Sequence, residues 1–200
     1  MILRPPRSTP FPYTTLFRST IYIEGYWQSE SYFKDVESQI RADLQFIEPN
    51  DDKNSYLAFH IRNSDSVSIH IRFFSSGNEA SNNAPKDYYE TAIAKMESLT
   101  NNCHYYLFSD NPDQARLLIS LPDDRVTVID NNTDPDFAYA DLWLMHLCKH
   151  HIIANSTFSW WGAWLADSSE KIVIAPGFEL RSGVAWWGFD GLIPNEWIKC

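Results

Sequence analysis

The stretch "VSIHIR", Val67 to Arg72, decides how this chain is read. Apolar Val67, Ile69 and Ile71 alternate with Ser68, His70 and Arg72, the period-two pattern of a β-strand. The strand ends on an imidazole and a guanidinium instead of turn residues, and Phe73 and Phe74 follow.

Downstream the pattern becomes regular. A helix is expected from about Asp87 to Leu99, with Tyr89, Ile93, Met96 and Leu99 on its buried face. "CHYYLF" reads as a second strand, and Asn111-Pro112 opens a helix with a cap and a first-turn proline. "RVTVI" is a third strand, and Asp134-Pro135 starts a helix running to about Lys149. "HIIA", "SWWGAWLA" and "KIVIA" read as strand, short helix and fifth strand. Strands alternating with helices over short connections give an α/β fold: a parallel, Rossmann-like sheet with helices on both faces.

Upstream, "TIYIEGYWQ" is strand-like. A helix fits Tyr32 to Phe46, with Phe33, Val36, Ile40 and Leu44 on one face, until the polar "EPNDDKNS" ends it. A second His-Ile-Arg, His60 to Arg62, reads as the last turn of a short helical segment, with Arg62 solvated. "FPYTTLFRS", Phe11 to Ser19, resembles a translated sequencing adapter, so residues 1–19 are set aside as a non-native tail. Residues 20–66 then carry the connecting helices, and residues 67–200 form the Rossmann-like unit.

Two hundred residues with 44% hydrophobic content can bury one good core. A net charge of -10 argues against nucleic acid or anionic lipid as partner. An anion would have to be held by a local arrangement. Eight tryptophans are most simply core residues, although sugars also stack on such rings. The three cysteines, Cys103, Cys148 and Cys200, have no metal-like spacing. Cys103 and Cys148 are expected to pack as small hydrophobes, which suits a reducing compartment. No apolar run approaches a membrane span.

In open parallel sheets ligands bind beyond the carboxyl ends of the strands. Three such ends carry polar groups here: His70 and Arg72; Ser109 and Asp110 in "LFSDN"; and Asn155, Ser156, Thr157 and Ser159 in "ANSTFSWWGAW". The last is a strand followed by a helix start, whose free N–H groups favour an anion. An arginine beside it adds charge-assisted bonds of roughly 1.5–3 kcal/mol each. A diphosphate fits that chemistry. Asn155-Ser156-Thr157 and Asn131-Asn132-Thr133 are also glycosylation sequons, but Asn155 sits between a buried strand and a Trp-rich helix, where a transferase could not reach it.

"NSTFSWWGAWL" preceded by "LMHLCKHHIIA", with "GYWQSESYF" upstream and "FSDN" between, resembles the α-1,2-fucosyltransferase family (glycosyltransferase family 11). The resemblance covers about residues 20–197. It implies that residues 67–200 are the nucleotide-sugar-binding domain, the C-terminal, donor-binding half of a GT-B enzyme, and that residues 20–66 are the remnant of its N-terminal domain. It also implies inverting transfer of fucose from GDP-fucose to the 2-hydroxyl of a terminal galactose, with no metal and no further cofactor. By the same resemblance, His70 and Arg72 match the start of a His-x-Arg-Arg-x-Asp motif. Arg72 would hold the β-phosphate and stabilise the leaving group, and His70 would contact the nucleotide. Ser109 belongs to the second motif, where Asp110 would reach the guanosine. Asn155, Ser156, Thr157 and Ser159 would line the phosphate and fucose pocket, and Asp141 would stand behind it. The implied partners are GDP-fucose and a galactose-terminated glycan, and the implied location is cytoplasmic, peripheral to a membrane where glycans are assembled.

Three positions depart from the family pattern. Phe73 replaces the second arginine, Ser75 the acidic residue, and Asn111 stands where an acidic residue is usual. Loss of one guanidinium would cost roughly one to two orders of magnitude in rate. An isolated half would also leave a two-domain site incomplete. Two other readings stay open: a GT-B transferase using another nucleotide sugar, and a non-catalytic glycan-binding fragment using Trp186, Trp187 and Trp197.

Overall fold

The computed structural model describes residues 29–74, 82–182 and 185–200. The strand expected at "TIYIEGYWQ", the start of "GYWQSESYF" and Ser75 lie outside the described residues. Six strands form one parallel sheet: β1 (Ser66–Ile71), β2 (His104–Ser109), β3 (Val126–Val128), β4 (His150–Ile152), β5 (Val173–Ala175) and β8 (Ile198–Lys199). Their order is β3-β2-β1-β4-β5-β8. The chain works outward from β1 to β3, then crosses back to lay β4 on the other side of β1. Strand order reverses there, opening a crevice between the ends of β1 and β4.

The helices are α1 (Glu37–Asp43), α2 (Asp52–Arg62), α3 (Lys86–Leu99), α4 (Pro112–Leu118), α5 (Ala138–Leu147) and α6 (Thr157–Leu165). They cover both faces. Val67, Ile69 and Ile71 point toward Tyr89, Ile93 and Met96 of α3, sharing a core with Ala115 of α4. On the other face Tyr106 and Phe108 pack with Leu57 and Ile61 of α2 and Leu144 of α5. Residues of α2 therefore belong to the same core as the sheet. No helix of the described residues is long and apolar enough to cross a membrane.

Because β1 is central, its polar side is buried as well, and each serine is used. Ser66 Oγ accepts the Lys149 N–H at 3.1 Å, and Ser68 Oγ lies 2.8 Å from His151 Nδ1. An unpaired hydroxyl there would cost about 1–3 kcal/mol.

Behind α6 lies a tryptophan cluster. Trp160 and Trp164 stack at 6.1 Å, and Trp160 Nε1 donates to the Leu192 carbonyl at 2.8 Å. Lys171 Nζ closes the C-terminal end of α6 by donating to the carbonyls of Ala163, Trp164 and Ala166 at 2.9, 3.1 and 2.8 Å. Cys103 and Cys148 are buried free thiols.

Four expectations need correction. Residues 32–46 do not form one helix: two short 3-10 turns, Glu30–Tyr32 and Lys34–Val36, precede α1. Phe33 is the cause. Its ring stacks on Trp161 at 5.7 Å and meets Trp164 edge-on at 5.3 Å, with backbone φ at -136°. Val36 and Leu44 are consequently exposed. Leu99, at the end of α3, is exposed too, and Tyr88 and Ala92 are buried in its stead. "KIVIA" supplies the fifth strand, as expected, but the strands do not end with it. A hairpin, β6 (Leu180–Ser182) and β7 (Ala185–Trp187), follows it, and β8 adds to the sheet edge beside β5. Finally, Trp187 and Trp197 are not exposed: Trp187 Nε1 donates to the Pro176 carbonyl at 3.1 Å, and Trp197 packs 5.6 Å from Trp160. The side chain of Trp186 lies outside the described residues.

Candidate active site

The crevice holds a cavity of about 540 Å³. His70 and Arg72 enter it from β1, Ser109 and Asp110 from the end of β2, and Asn132, Asp134 and Asp141 from the β3–α5 side. Ser156 and Phe158 close it from the start of α6.

Register explains the first contact. Ile71 pairs with Ser109 across β1 and β2, so Arg72 and Asp110 emerge side by side. Arg72 Nη1 lies 2.8 Å from Asp110 Oδ2. Asp110 Oδ1 accepts the Phe73 N–H at 3.0 Å, and Ser109 Oγ accepts the Asn111 N–H at 3.1 Å. Asn111 then caps α4 by accepting the Gln114 N–H at 3.2 Å, the role its place before Pro112 foretells. Asp110 thus fixes both the guanidinium and the backbone beyond β1. Phe73 packs against the core on the α3 side, where Ile71 also points. A second arginine there would have to leave an apolar surface before it could reach an anion in the crevice.

His70 is almost fully buried, 5.6 Å from the Phe158 ring. Burial, helped by Arg72, pushes its imidazole down to about 3, so it is neutral at physiological pH. Its Nδ1 has no partner among the described residues. A neutral ring can offer one N–H or one lone pair but no charge, which leaves Arg72 as the cation lining the cavity.

α6 supplies the second anion-favouring element. Its N-cap, Ser156, makes no side-chain bond to the first turn, so those N–H groups have no side-chain cap. Met145 of α5 lies 3.1 Å from where a Cβ on Gly162 would sit, a spacing that lets α6 lie close on α5.

Asp141 lies on α5 with Oδ1 accepting from Asn132 Nδ2 at 2.8 Å. Burial raises its carboxyl to about 6, while the Asn132 bond pulls the other way.

Thr157, Ser159 and Asn155 do not line this cavity. Thr157 points into a separate apolar cavity of about 580 Å³ with Leu142, Phe158 and Trp161. Ser159 is buried and donates to the Ser156 carbonyl at 3.3 Å, because helical spacing turns it back along α6. Asn155 is buried, with Nδ2 donating to the Asn82 carbonyl at 2.7 Å, and so ties the β4–α6 turn to the start of α3. Asn132, Asp134 and Phe158 were missed as lining residues. Asn132 was read only as part of a sequon, though two asparagines just past a strand end were a signal. Among the described residues no three His, Cys, Asp or Glu side chains are grouped as a metal would need.

A six-stranded parallel sheet with a polar crevice at its point of strand reversal is the architecture of a nucleotide-binding α/β protein. The model of Glycosyl transferase family 11 matches residues 8–180, and the chain belongs to that family. That range begins inside the stretch set aside as a tail. An alpha-1,2-colitosyltransferase of Escherichia coli is 35% identical over 199 residues, covering 91% of this chain and 63% of that protein. The O-antigen biosynthesis glycosyltransferase WbnK, also of Escherichia coli, is 33% identical over 84% of this chain and 59% of its own length. The chain thus spans about three-fifths of the curated relatives it matches. A crystal structure of NodZ alpha-1,6-fucosyltransferase co-crystallized with GDP superposes with a TM-score of 0.38 at 17% identity. It covers 62% of this chain and 40% of that one, too loose a likeness to build on.

Proposed function

We propose that this chain is the donor-binding half of a GT-B glycosyltransferase that moves L-fucose from GDP-fucose to the 2-hydroxyl of a galactose-terminated glycan, with inversion. The observation that carries the reading is Arg72, held by Asp110 at 2.8 Å at the crevice facing the α6 N-terminus. A diphosphate seated there meets one guanidinium and the first-turn N–H groups together. As the glycosidic bond breaks, its electron pair stays with the β-phosphate oxygen, and Arg72 with the α6 dipole stabilises that charge. The reading needs no metal, because these groups take up the leaving charge. The acceptor hydroxyl arrives from the opposite side of the sugar: its oxygen bonds the anomeric carbon as the phosphate departs, which inverts that centre, and its proton passes to solvent. Membership of family 11 and the relatives' names support glycosyl transfer. Free, buried Cys103 and Cys148 accord with a cytoplasmic protein.

A second reading differs only in the sugar. The relative named as an alpha-1,2-colitosyltransferase favours a colitosyl group in place of the fucosyl group, with the 1,2 linkage kept.

Thermal melts with GDP, UDP and dTDP test the nucleotide. GDP alone raises the midpoint, and Arg72→Ala abolishes the rise. A folded sample indifferent to GDP overturns both readings. Transfer assays with fucosyl and colitosyl donors separate the two.

A further inference from the structure

Asp141 is held by more than one bond. Asn132 Nδ2 donates to Asp141 Oδ1 at 2.8 Å and to Asn54 Oδ1 at 3.1 Å, while Asn54 Nδ2 donates back to Asn132 Oδ1 at 2.9 Å. Turning either amide over would set like atoms face to face and break both bonds of the pair. Asn54 is itself fixed: its backbone N–H and its Nδ2 each donate to Asp51, the α2 N-cap, at 2.8 Å. Asn131 Nδ2 adds a bond to Asn54 Oδ1 at 3.1 Å. Asn54 is 1% exposed, so solvent does not compete for it. A chain of side chains thus runs from the cap of α2 under the β3–α5 turn to the crevice. At its far end, no hydrogen bond from the described residues reaches Asp141 Oδ2.

The other charged and titratable groups on the cavity give that oxygen a meaning. From β1 come Arg72, paired with Asp110, and neutral His70; Asp134 lies on the β3–α5 turn. The cavity therefore has a cationic side at Arg72 and an anionic side at Asp141. A nucleoside diphosphate is repelled by the carboxylate and drawn to Arg72, so the phosphates and the sugar occupy opposite sides. We propose that Asp51, Asn54 and Asn132 are positioning residues that aim the Asp141 carboxylate into the crevice, where Oδ2 accepts a hydrogen bond from a hydroxyl of the hexosyl group. The proposal rests on the nucleotide-sugar reading above.

Calorimetry with GDP and with GDP-fucose at pH 7.5 tests it on the unaltered chain, Asp141→Asn and Asn132→Leu. The unaltered chain prefers GDP-fucose over GDP. Both variants lose about tenfold of that preference, and neither weakens binding of GDP alone by more than about twofold. A preference that is absent, or equal in all three proteins, overturns the proposal. An unaltered chain that binds neither ligand overturns the donor reading instead. The relay has its own readout without ligand: the Asp141 carboxyl carbon, followed by NMR, titrates near 6 in the unaltered chain. In Asn132→Leu it moves up by about one pH unit, because a donor to the charged form is gone. A midpoint that stays in place overturns the relay. Asp141→Asn, nearly isosteric, keeps the sugar test valid should Asn132→Leu fail to fold.

Discussion

His60-Ile61-Arg62 and His70-Ile71-Arg72 are the same tripeptide in two backbones. In α2 successive side chains turn by about 100°, so His60 and Arg62 splay apart around Ile61 and both are exposed. Arg62 ends 4.0 Å from Glu48 with its guanidinium over the Trp143 ring. At the end of β1 the side chains alternate, so His70 and Arg72 share one side and enter one cavity while Ile71 faces the core. Ile61 and Ile71 are equally buried, at 0% and 1% exposure. Composition set the middle residue's fate in both copies. Backbone period set whether its neighbours could meet a common ligand.

The comparison breaks first if the isoleucines differ. Ile61→Ala and Ile71→Ala should each lower stability in urea unfolding by about 2–5 kcal/mol, since both leave a cavity in a packed core. The histidines come next. His70 has a folded pKa of about 3 against an ordinary 6.5, so the unfolded chain binds more protons in that window and stability falls as pH drops through it. His70→Gln should make the acid slope shallower by about 1–3 kcal/mol between pH 6.5 and 4. His151, buried against Ser68, keeps its own share of the slope in that variant. The smallest effect sharpens the account of Phe73. Phe73→Arg should lower stability by about 1 kcal/mol and leave GDP affinity within about twofold, because that side chain faces the α3 core.

Much of this was legible because the central strands are long and periodic. β1 and β2, the cap at Asn111 and the cluster of His70, Arg72, Ser109, Asp110 and Ser156 at one sheet edge follow from alternation and from where parallel strands end, whereas Asp141, on α5, came from the family resemblance alone. β8 was not legible: Ile198–Lys199 is two residues long, and only the neighbouring β5 makes it a strand. The break in the first helix depends on Phe33 docking between Trp161 and Trp164, over a hundred residues away in sequence. Thr157 and Ser159 were drawn toward the cavity by their hydroxyls, but helical spacing aims one into the apolar cavity and the other back along α6. The Asn54–Asn132 pair joins residues far apart in the chain, which no local pattern announces.

The central claim is that the His-Ile-Arg at the end of β1, and not the one ending α2, holds a nucleoside diphosphate. Calorimetric titration of GDP into the unaltered chain, Arg72→Gln and Arg62→Gln tests it directly. The account predicts that Arg72→Gln weakens binding by about ten- to a hundredfold while Arg62→Gln stays within about twofold. Equal losses in the two variants, or binding untouched by Arg72→Gln, would contradict it.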